Sequence, residues 1–152
     1  MPQRIYLVIM DETEEARAAL RFAARRAVRT GGTVHILALM PRQEFVAFGG
    51  VQATIEEEAR DRAEALAMAA AGSIASESGL SPVIAVMQGD GPQSVRAYLG
   101  EHPEVSALVL GAAKDGSPGP LVTHFAGIAG QLPCPLMIVP GALDDETIDR
   151  VS

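Results

Sequence analysis

The chain has 152 residues, of which 48% are hydrophobic, and it carries a formal net charge of −7 at pH 7. A domain of this length buries roughly 70% of the surface that its unfolded chain would expose, so a single domain accounts for the sequence. The acidic charge and an aromatic content of only 4% argue against non-specific binding to nucleic acid or to an anionic membrane. We expect no nucleic-acid partner and no membrane partner.

The sequence also predicts the compartment. No apolar run approaches the ~20 residues of a transmembrane helix, and the first residues lead into a strand pattern without a signal peptide. The single cysteine, Cys134, allows no internal disulfide, which suits a reducing environment. We therefore expect a cytoplasmic protein.

The spacing of apolar residues alternates along the chain between a strand pattern and a helix pattern. Short, almost continuously apolar runs are typical of strands that are covered on both faces, and they predict strands at residues 4–10, 33–40, 83–87, 105–110 and 134–139. Helical spacing predicts helices at residues 13–30, 53–78, 92–101 and 121–131. Residues 41–52, which include the aromatic Phe45 and Phe48, are predicted to form a loop.

Strict alternation of strands and helices predicts an α/β domain with an open five-stranded parallel sheet and helices on both faces. We place the domain at residues 1–141. Residues 142–152 form a polar C-terminal tail, predicted to be either loose or a short helix.

The site is expected beyond the carboxyl ends of the strands, where the strand order reverses. Asp11 directly follows the first strand, where its carboxylate can either accept hydrogen bonds from a ligand or cap the first helix. Residues 111–120 connect a strand to a helix, and glycine there can let the backbone approach a phosphate while Lys114 adds a counter-charge. Such a loop is also often a plain connector, and Gly116 and Gly119 offer a second arrangement for an anion.

No catalytic set and no metal-ligand spacing stand out. His35 is predicted to be packed in a strand, His102 lies at a helix end, and His124 lies in the first turn of the last helix, near the expected site. A catalytic thiolate at Cys134 would need an activating histidine or cation, which the sequence does not supply. We predict no catalytic residue, no metal and no enzyme.

The strand that ends in Asp11, the strand and helix order over residues 5–140, and the closing segment Leu-Pro-Cys-Pro-Leu-Met-Ile-Val at residues 132–139 resemble the universal stress protein family. The resemblance implies a Rossmann-like, adenine-nucleotide-α-hydrolase-like fold. In that family the last crossover reads G-x-x-G-x9-G-S/T, and ATP-binding members use the Asp after the first strand, the backbone at the end of the second strand, the glycines and the Ser/Thr.

Carried over position by position, the family residues fall on Asp11, Leu39, Gly111 and Thr123, and Lys114 completes the five candidate cofactor-binding residues. The second and third glycine positions hold Lys114 and Val122, and the loop is two residues shorter than the family spacing. Side chains at these positions occupy space through which backbone amides would reach a triphosphate.

The leading hypothesis is therefore a universal-stress-protein-like stress-response or regulatory protein with a degenerate nucleotide-binding loop and no catalysis. The second is an ATP- or AMP-binding switch of the same family with slow hydrolysis. A flavodoxin-like or nucleotide-transfer enzyme is disfavoured, because the loop after the first strand, Asp11-Glu12-Thr13-Glu14, is acidic and lacks glycine.

The last strand would lie at the edge of the sheet, where an apolar strand is exposed to unwanted pairing unless it is covered. In the family that the chain resembles, this strand pairs across a dimer two-fold. The resemblance thus implies a homodimer through the last strand, with Leu136 and Ile138 at the interface.

Overall fold

The computed structural model describes residues 2–40 and 49–152. The strands are β1 (Ile5–Met10), β2 (Thr33–Met40), β3 (Val83–Gln88), β4 (Ala107–Ala112) and β5 (Leu136–Pro140). The helices are α1 (Glu14–Thr30), α2 (Gly49–Ser78), α3 (Gly91–Glu101), α4 (Pro120–Gly127) and α5 (Asp145–Val151), with a 3₁₀ turn at Ala129–Gln131.

The strands form one five-stranded sheet in the order β3-β2-β1-β4-β5, and every neighbouring pair is parallel. The predicted fold class is therefore confirmed. From β1 the chain first builds outward through β2 and β3, and then returns to the other side of β1 with β4 and β5. The strand order consequently reverses between β1 and β4, which places the expected ligand edge beside the ends of these two strands.

Burial on both faces explains the continuous apolar sequence of the central strand. In β1, Tyr6, Val8 and Met10 pack into a core with α1, α2 and α5, whereas Leu7 and Ile9 pack into a core with α3 and α4. Successive side chains of a strand point to opposite faces, so a strand between two helical layers must be apolar at every position.

Alanine lets the long helix α2 lie close to the sheet. Its buried residues recur at intervals of three or four along one helical face: Ala59, Ala63, Ala67, Ala70 and Ile74. Although α2 has 30 residues, no helix in the described part of the chain is long and apolar enough to cross a membrane.

Some predicted boundaries differ from the structure. Residues 49–52, predicted as loop, belong to α2, while the rest of that predicted loop, with Phe45 and Phe48, lies outside the described residues. The strand predicted from Cys134 begins at Leu136. Pro133 and Pro135 carry no N–H for the strand ladder, so regular pairing starts after them.

The C-terminal segment takes the second of its two predicted forms, the short helix. Asp144 caps α5 by accepting a hydrogen bond from the Thr147 N–H at 2.8 Å. Ile148 of this helix is buried against α1, and the Arg21 guanidinium donates two hydrogen bonds of 2.8 Å to the Asp149 carboxylate.

Candidate functional site

Asp11 is fixed by the start of α1, but it is not the helix cap. Its Oδ1 atom accepts a hydrogen bond from the Thr13 N–H at 2.9 Å and another from the Thr13 hydroxyl. Thr13 has extended backbone angles and caps the helix, since its Oγ1 accepts from the Ala16 N–H at 3.2 Å. The capping role considered for Asp11 thus falls to Thr13, and Asp11 orients that cap while its own carboxylate remains exposed.

A cleft of about 880 Å³ opens at the carboxyl ends of β1, β2 and β3. Two of the predicted site residues, Asp11 and Leu39, lie in its wall together. The cleft is lined by Ile9, Met10, Asp11, Leu39, Met87, Gln88, Gly89, Asp90, Gly91, Pro92, Gln93, Ser94, Ala97, Pro120 and Leu121. Its volume lies within the ~300–1,000 Å³ range that is typical of small-molecule sites.

The start of α3 forms one wall of this cleft. The Gly89 N–H donates to the Met40 carbonyl at 3.2 Å, which ties the end of β3 to the end of β2. Asp90 then caps α3, and its Oδ1 accepts from the Gln93 N–H at 3.0 Å. The sequence Gly-Asp-Gly-Pro at residues 89–92 predicts a turn before the third helix and, by itself, no site. The signal that points to a site is the position of these residues directly after a strand of the sheet, at the same edge as Asp11.

Gly111 lies in a different place, a small cavity of about 150 Å³ between the starts of α1 and α4. Asp11 also borders this cavity, together with Thr13, Pro118 and Gly119. A Cβ atom added to Gly111 would come within 1.9 Å of the Glu15 carbonyl oxygen. Glycine is therefore required at this position by the close approach of α1 to β4, whatever else the residue does.

Lys114 and Thr123 are exposed, and neither lines either of these two cavities. The loop that carries Lys114 closes on itself through a hydrogen bond of 3.1 Å from the Ala113 N–H to the Pro118 carbonyl. The backbone N–H of Thr123 is used inside α4, where it donates to the Gly119 carbonyl at 3.0 Å. The structure thus brings Asp11 together with Leu39 and with Gly111, but leaves Lys114 and Thr123 outside both cavities, and the assignment of these five residues to a ligand remains a prediction.

A groove of about 540 Å³ lies between α1 and α2 and adjoins the cleft at Met10. Its floor is apolar and its rim carries Arg17, Arg21 and Arg25. Arg21 lies 3.9 Å from Glu77 and 3.7 Å from Asp145 across the groove. These ion pairs link α1 to α2 and α5, so the groove belongs to the packing of these helices.

Cys134 and His124, the other two reactive residue types considered from the sequence, lie outside the cleft. Burial raises the pKa of the Cys134 thiol, which keeps it protonated and unsuited to nucleophilic attack. His124 packs edge-on against Phe125, with ring centroids 4.9 Å apart, and does not line the cleft. Among the described residues no group of three or more His, Cys, Asp or Glu side chains is arranged to hold a metal ion.

A parallel sheet with helices on both faces and cavities at the carboxyl ends of its strands is the arrangement of the open α/β proteins. The model of the universal stress protein family matches residues 2–140, and the chain belongs to this family. No curated protein gives a significant match to the sequence.

Solved structures agree with the family match at the level of the fold. A universal stress protein from Lactobacillus plantarum is 17% identical, with a TM-score of 0.75 over 91% of this chain and 99% of that chain. A universal stress protein from Archaeoglobus fulgidus, solved in complex with dAMP, is 16% identical, with a TM-score of 0.63 over 91% and 99%. An Arabidopsis thaliana family member with AMP bound is also 16% identical, with a TM-score of 0.60 over 95% of each chain.

Proposed function

We propose that this protein is a non-catalytic, cytoplasmic regulatory member of the family, which acts in stress adaptation as a homodimer and binds a small adenine-containing ligand. The observation that carries the proposal is the cleft of about 880 Å³ with Asp11 and Leu39 in its wall. Apolar side chains there suit a base, and carboxylate oxygens suit hydroxyl or amino groups. AMP and dAMP, which the Arabidopsis and Archaeoglobus proteins bind, are the model ligands.

The absence of catalysis is proposed from the roles of the two carboxylates in the cleft. Asp11 and Asp90 each accept a backbone N–H at a helix start, which is a structural use of the carboxylate. The loop of residues 111–120 supports the same proposal, because Gly111 is committed to packing against Glu15 and Lys114 lies outside the cleft. These features support the prediction of a degenerate nucleotide-binding loop.

Calorimetric titration with adenosine, AMP, ADP and Mg-ATP tests the proposal, after the purified protein has been checked for co-purified nucleotide. Leu39→Ala removes apolar contact from the cleft wall and is expected to weaken binding roughly tenfold. Leu80→Ala is the matched control, because Leu80 is also partly buried but does not line the cleft. No heat at millimolar ligand, with no adenine compound co-purified, would overturn the proposal.

A second candidate function is an ATP- or AMP-dependent switch with slow hydrolysis. It is favoured by the small cavity between the starts of α1 and α4, where Asp11 and Gly119 lie together. Phosphate release from Mg-ATP at high protein concentration distinguishes the two functions. Phosphate release that exceeds a protein-free blank, and that is lost in the Asp11→Asn variant, would favour the switch. The leading proposal predicts phosphate release no greater than the blank.

A further inference from the structure

The described walls of the cleft at the carboxyl edge carry negatively charged side chains and no positively charged ones. Its described walls contain two carboxylates, Asp11 and Asp90, and no lysine, arginine or histidine. Asp11 follows β1 and Asp90 follows β3, so the two carboxylates stand on either side of the end of β2. Both are exposed to the solvent that fills the cleft.

Two of the helix starts near the cleft, those of α1 and α3, are already matched by negative charge. The third, α4, begins at Gly119 without a side-chain cap, and Pro120 in its first turn has no N–H to offer a phosphate. The N-terminus of a helix attracts phosphate because its free N–H groups and its dipole are positive. At α3 the Asp90 carboxylate occupies this position, 3.0 Å from the Gln93 N–H. At α1 the first turn contains Glu14 and Glu15 in addition to the Asp11–Thr13 pair. A phosphate group that entered the cleft near the start of α1 or α3 would meet carboxylates, whereas a phosphate site at a helix N-terminus normally offers positive charge.

The nearby basic side chains face elsewhere. Lys114 is exposed on its loop and does not line the cleft. Arg17, Arg21 and Arg25 line the α1–α2 groove, which adjoins the cleft at Met10, and none of the three lines the cleft itself. The described part of the chain thus brings no cation into the cleft walls to offset a phosphate.

The other walls suit an uncharged ring with hydroxyl groups. Ile9, Leu39, Met87 and Leu121 supply apolar surface, and Gln88 and Ser94 supply neutral hydrogen-bonding groups. A carboxylate can accept a hydrogen bond from a ribose hydroxyl or an amino group without any compensating cation. The arrangement therefore fits the nucleoside part of a nucleotide better than its phosphates.

We propose that this cleft selects a neutral or cationic nucleoside and discriminates against its phosphorylated forms. This rests on the proposed function, because it names the ligand class of the same site. The carboxylates of Asp11 and Asp90 act as hydrogen-bond acceptors for the nucleoside and repel a 5′-phosphate. A 5′-ammonium group would be attracted by the same charges.

The test is a titration of the full chain with adenosine, 5′-amino-5′-deoxyadenosine, AMP and ATP, in low salt and without divalent cations. We expect AMP to bind roughly tenfold more weakly than adenosine, ATP more weakly still, and the amino nucleoside at least as tightly as adenosine. The preference should shrink as the ionic strength rises, because salt screens exposed charges.

Asp90→Asn removes the negative charge of this side chain but keeps the cap of α3, because asparagine caps a helix about as well as aspartate. The variant is expected to narrow the preference for adenosine over AMP several-fold. Asp115→Asn makes the same change in net charge on an exposed loop outside the cleft, and it should leave the preference unchanged. Thermal unfolding of both variants checks that the fold is retained.

Each result has a distinct meaning. ATP as the tightest ligand, or an unchanged adenosine-to-AMP ratio in Asp90→Asn, would overturn the selectivity and leave the proposed function standing. Failure of all four ligands to bind would overturn the proposed function and this inference with it. The expected ranking, together with a narrowed ratio in Asp90→Asn alone, supports both.

Discussion

Gly111 stands against the backbone of α1 at a distance that leaves no room for a side chain. A Cβ atom there would lie 1.9 Å from the Glu15 carbonyl oxygen and 2.4 Å from its carbon. The obstacle is backbone, so it cannot move aside as a flexible side chain would. The packing at residue 111 therefore requires glycine with or without a ligand.

Gly111→Ala is therefore expected to lower the free energy of unfolding by about 3 kcal/mol, since overpacking on this scale forces α1 and β4 apart. Urea denaturation measures the change. Gly72→Ala is the matched control: Gly72 lies inside α2 with no atom within 4 Å of the added Cβ. That control is expected to stabilise by about 0.5–1 kcal/mol. Equal stabilities for the Gly111 variant and the wild type would contradict the packing role.

His35 is buried in β2 within a cluster of aromatic and titratable groups. Its Nδ1 lies 2.7 Å from the Tyr98 hydroxyl, and the Tyr98 ring stacks on His102 with centroids 4.1 Å apart. His102 in turn lies 2.9 Å from the Glu104 carboxylate. Burial, and then the nearby His102, lower the pKa of His35 below its ordinary value of 6.5, although Glu104 acts in the opposite direction.

This lowered pKa predicts a loss of stability in mild acid. Below pH 6.5 the unfolded chain binds a proton at His35 that the folded chain takes up only at lower pH, so the free energy of unfolding falls as the pH falls through 6.5. The lowered pKa of Glu104 acts only below its ordinary value of 4.5. Urea denaturation at pH 7.5 and 5.5 should show a smaller loss in His35→Gln than in the wild type, with His124→Gln as the control. An identical loss in His35→Gln would refute the assignment.

At the residue scale, the position of a side chain at the carboxyl edge was easier to predict from the sequence than its role there. Asp11 and Thr13 are both of residue types that cap helices, and only the backbone angles decide that Thr13 takes the role, with φ −84° and ψ 157°. The reason for Gly111 could not be predicted either, because it depends on the distance between α1 and β4. Asp90 lies in a Gly-Asp-Gly-Pro sequence that predicts a turn. A turn sequence alone does not reveal which cavity its residues border.

At the scale of elements, long apolar patterns were predictable and short polar ones were not. A strand such as β1 is recognisable because both of its faces are buried, which leaves a continuous apolar run. The seven-residue α5 contains one buried apolar residue, Ile148, among polar ones, so no period is available to choose between helix and loose tail. The choice is made by tertiary packing on α1.

We expect the attachment of α5 to the rest of the fold to depend more on the burial of Ile148 than on the ion pairs of Asp149. Ile148 is 1% exposed, so Ile148→Ala is expected to cost about 2–4 kcal/mol of stability. Asp149→Asn weakens two ion pairs, one with Arg21 and one with Arg25. The side chains of Arg21, Arg25 and Asp149 are 24%, 45% and 31% exposed, so the change is expected to cost at most about 1 kcal/mol. Chemical denaturation of the two variants gives the ranking. A larger loss for Asp149→Asn would mean that α5 is attached mainly by charge.

On the scale of the whole molecule, the sheet has two outer strands, β3 and β5, and each presents exposed apolar side chains. Ile84 of β3 is 40% exposed and Ile138 of β5 is 42% exposed in the single chain. An apolar edge strand invites pairing with another chain. The two edges are similar in exposure, so exposure alone does not select one of them. The family resemblance selects β5, and the dimer remains a prediction.

Ile138→Lys tests the dimer, because a lysine on the outer strand places two like charges near each other across a two-fold axis and opposes edge pairing. We expect the wild type to have the mass of a dimer by light scattering at micromolar concentration, and the variant to have the mass of a monomer. Leu136→Lys should act in the same direction. Ile84→Lys makes an equivalent change at the opposite edge of the sheet and should leave the dimer intact. A monomeric wild type would exclude the dimer, and dissociation by Ile84→Lys alone would assign the interface to β3.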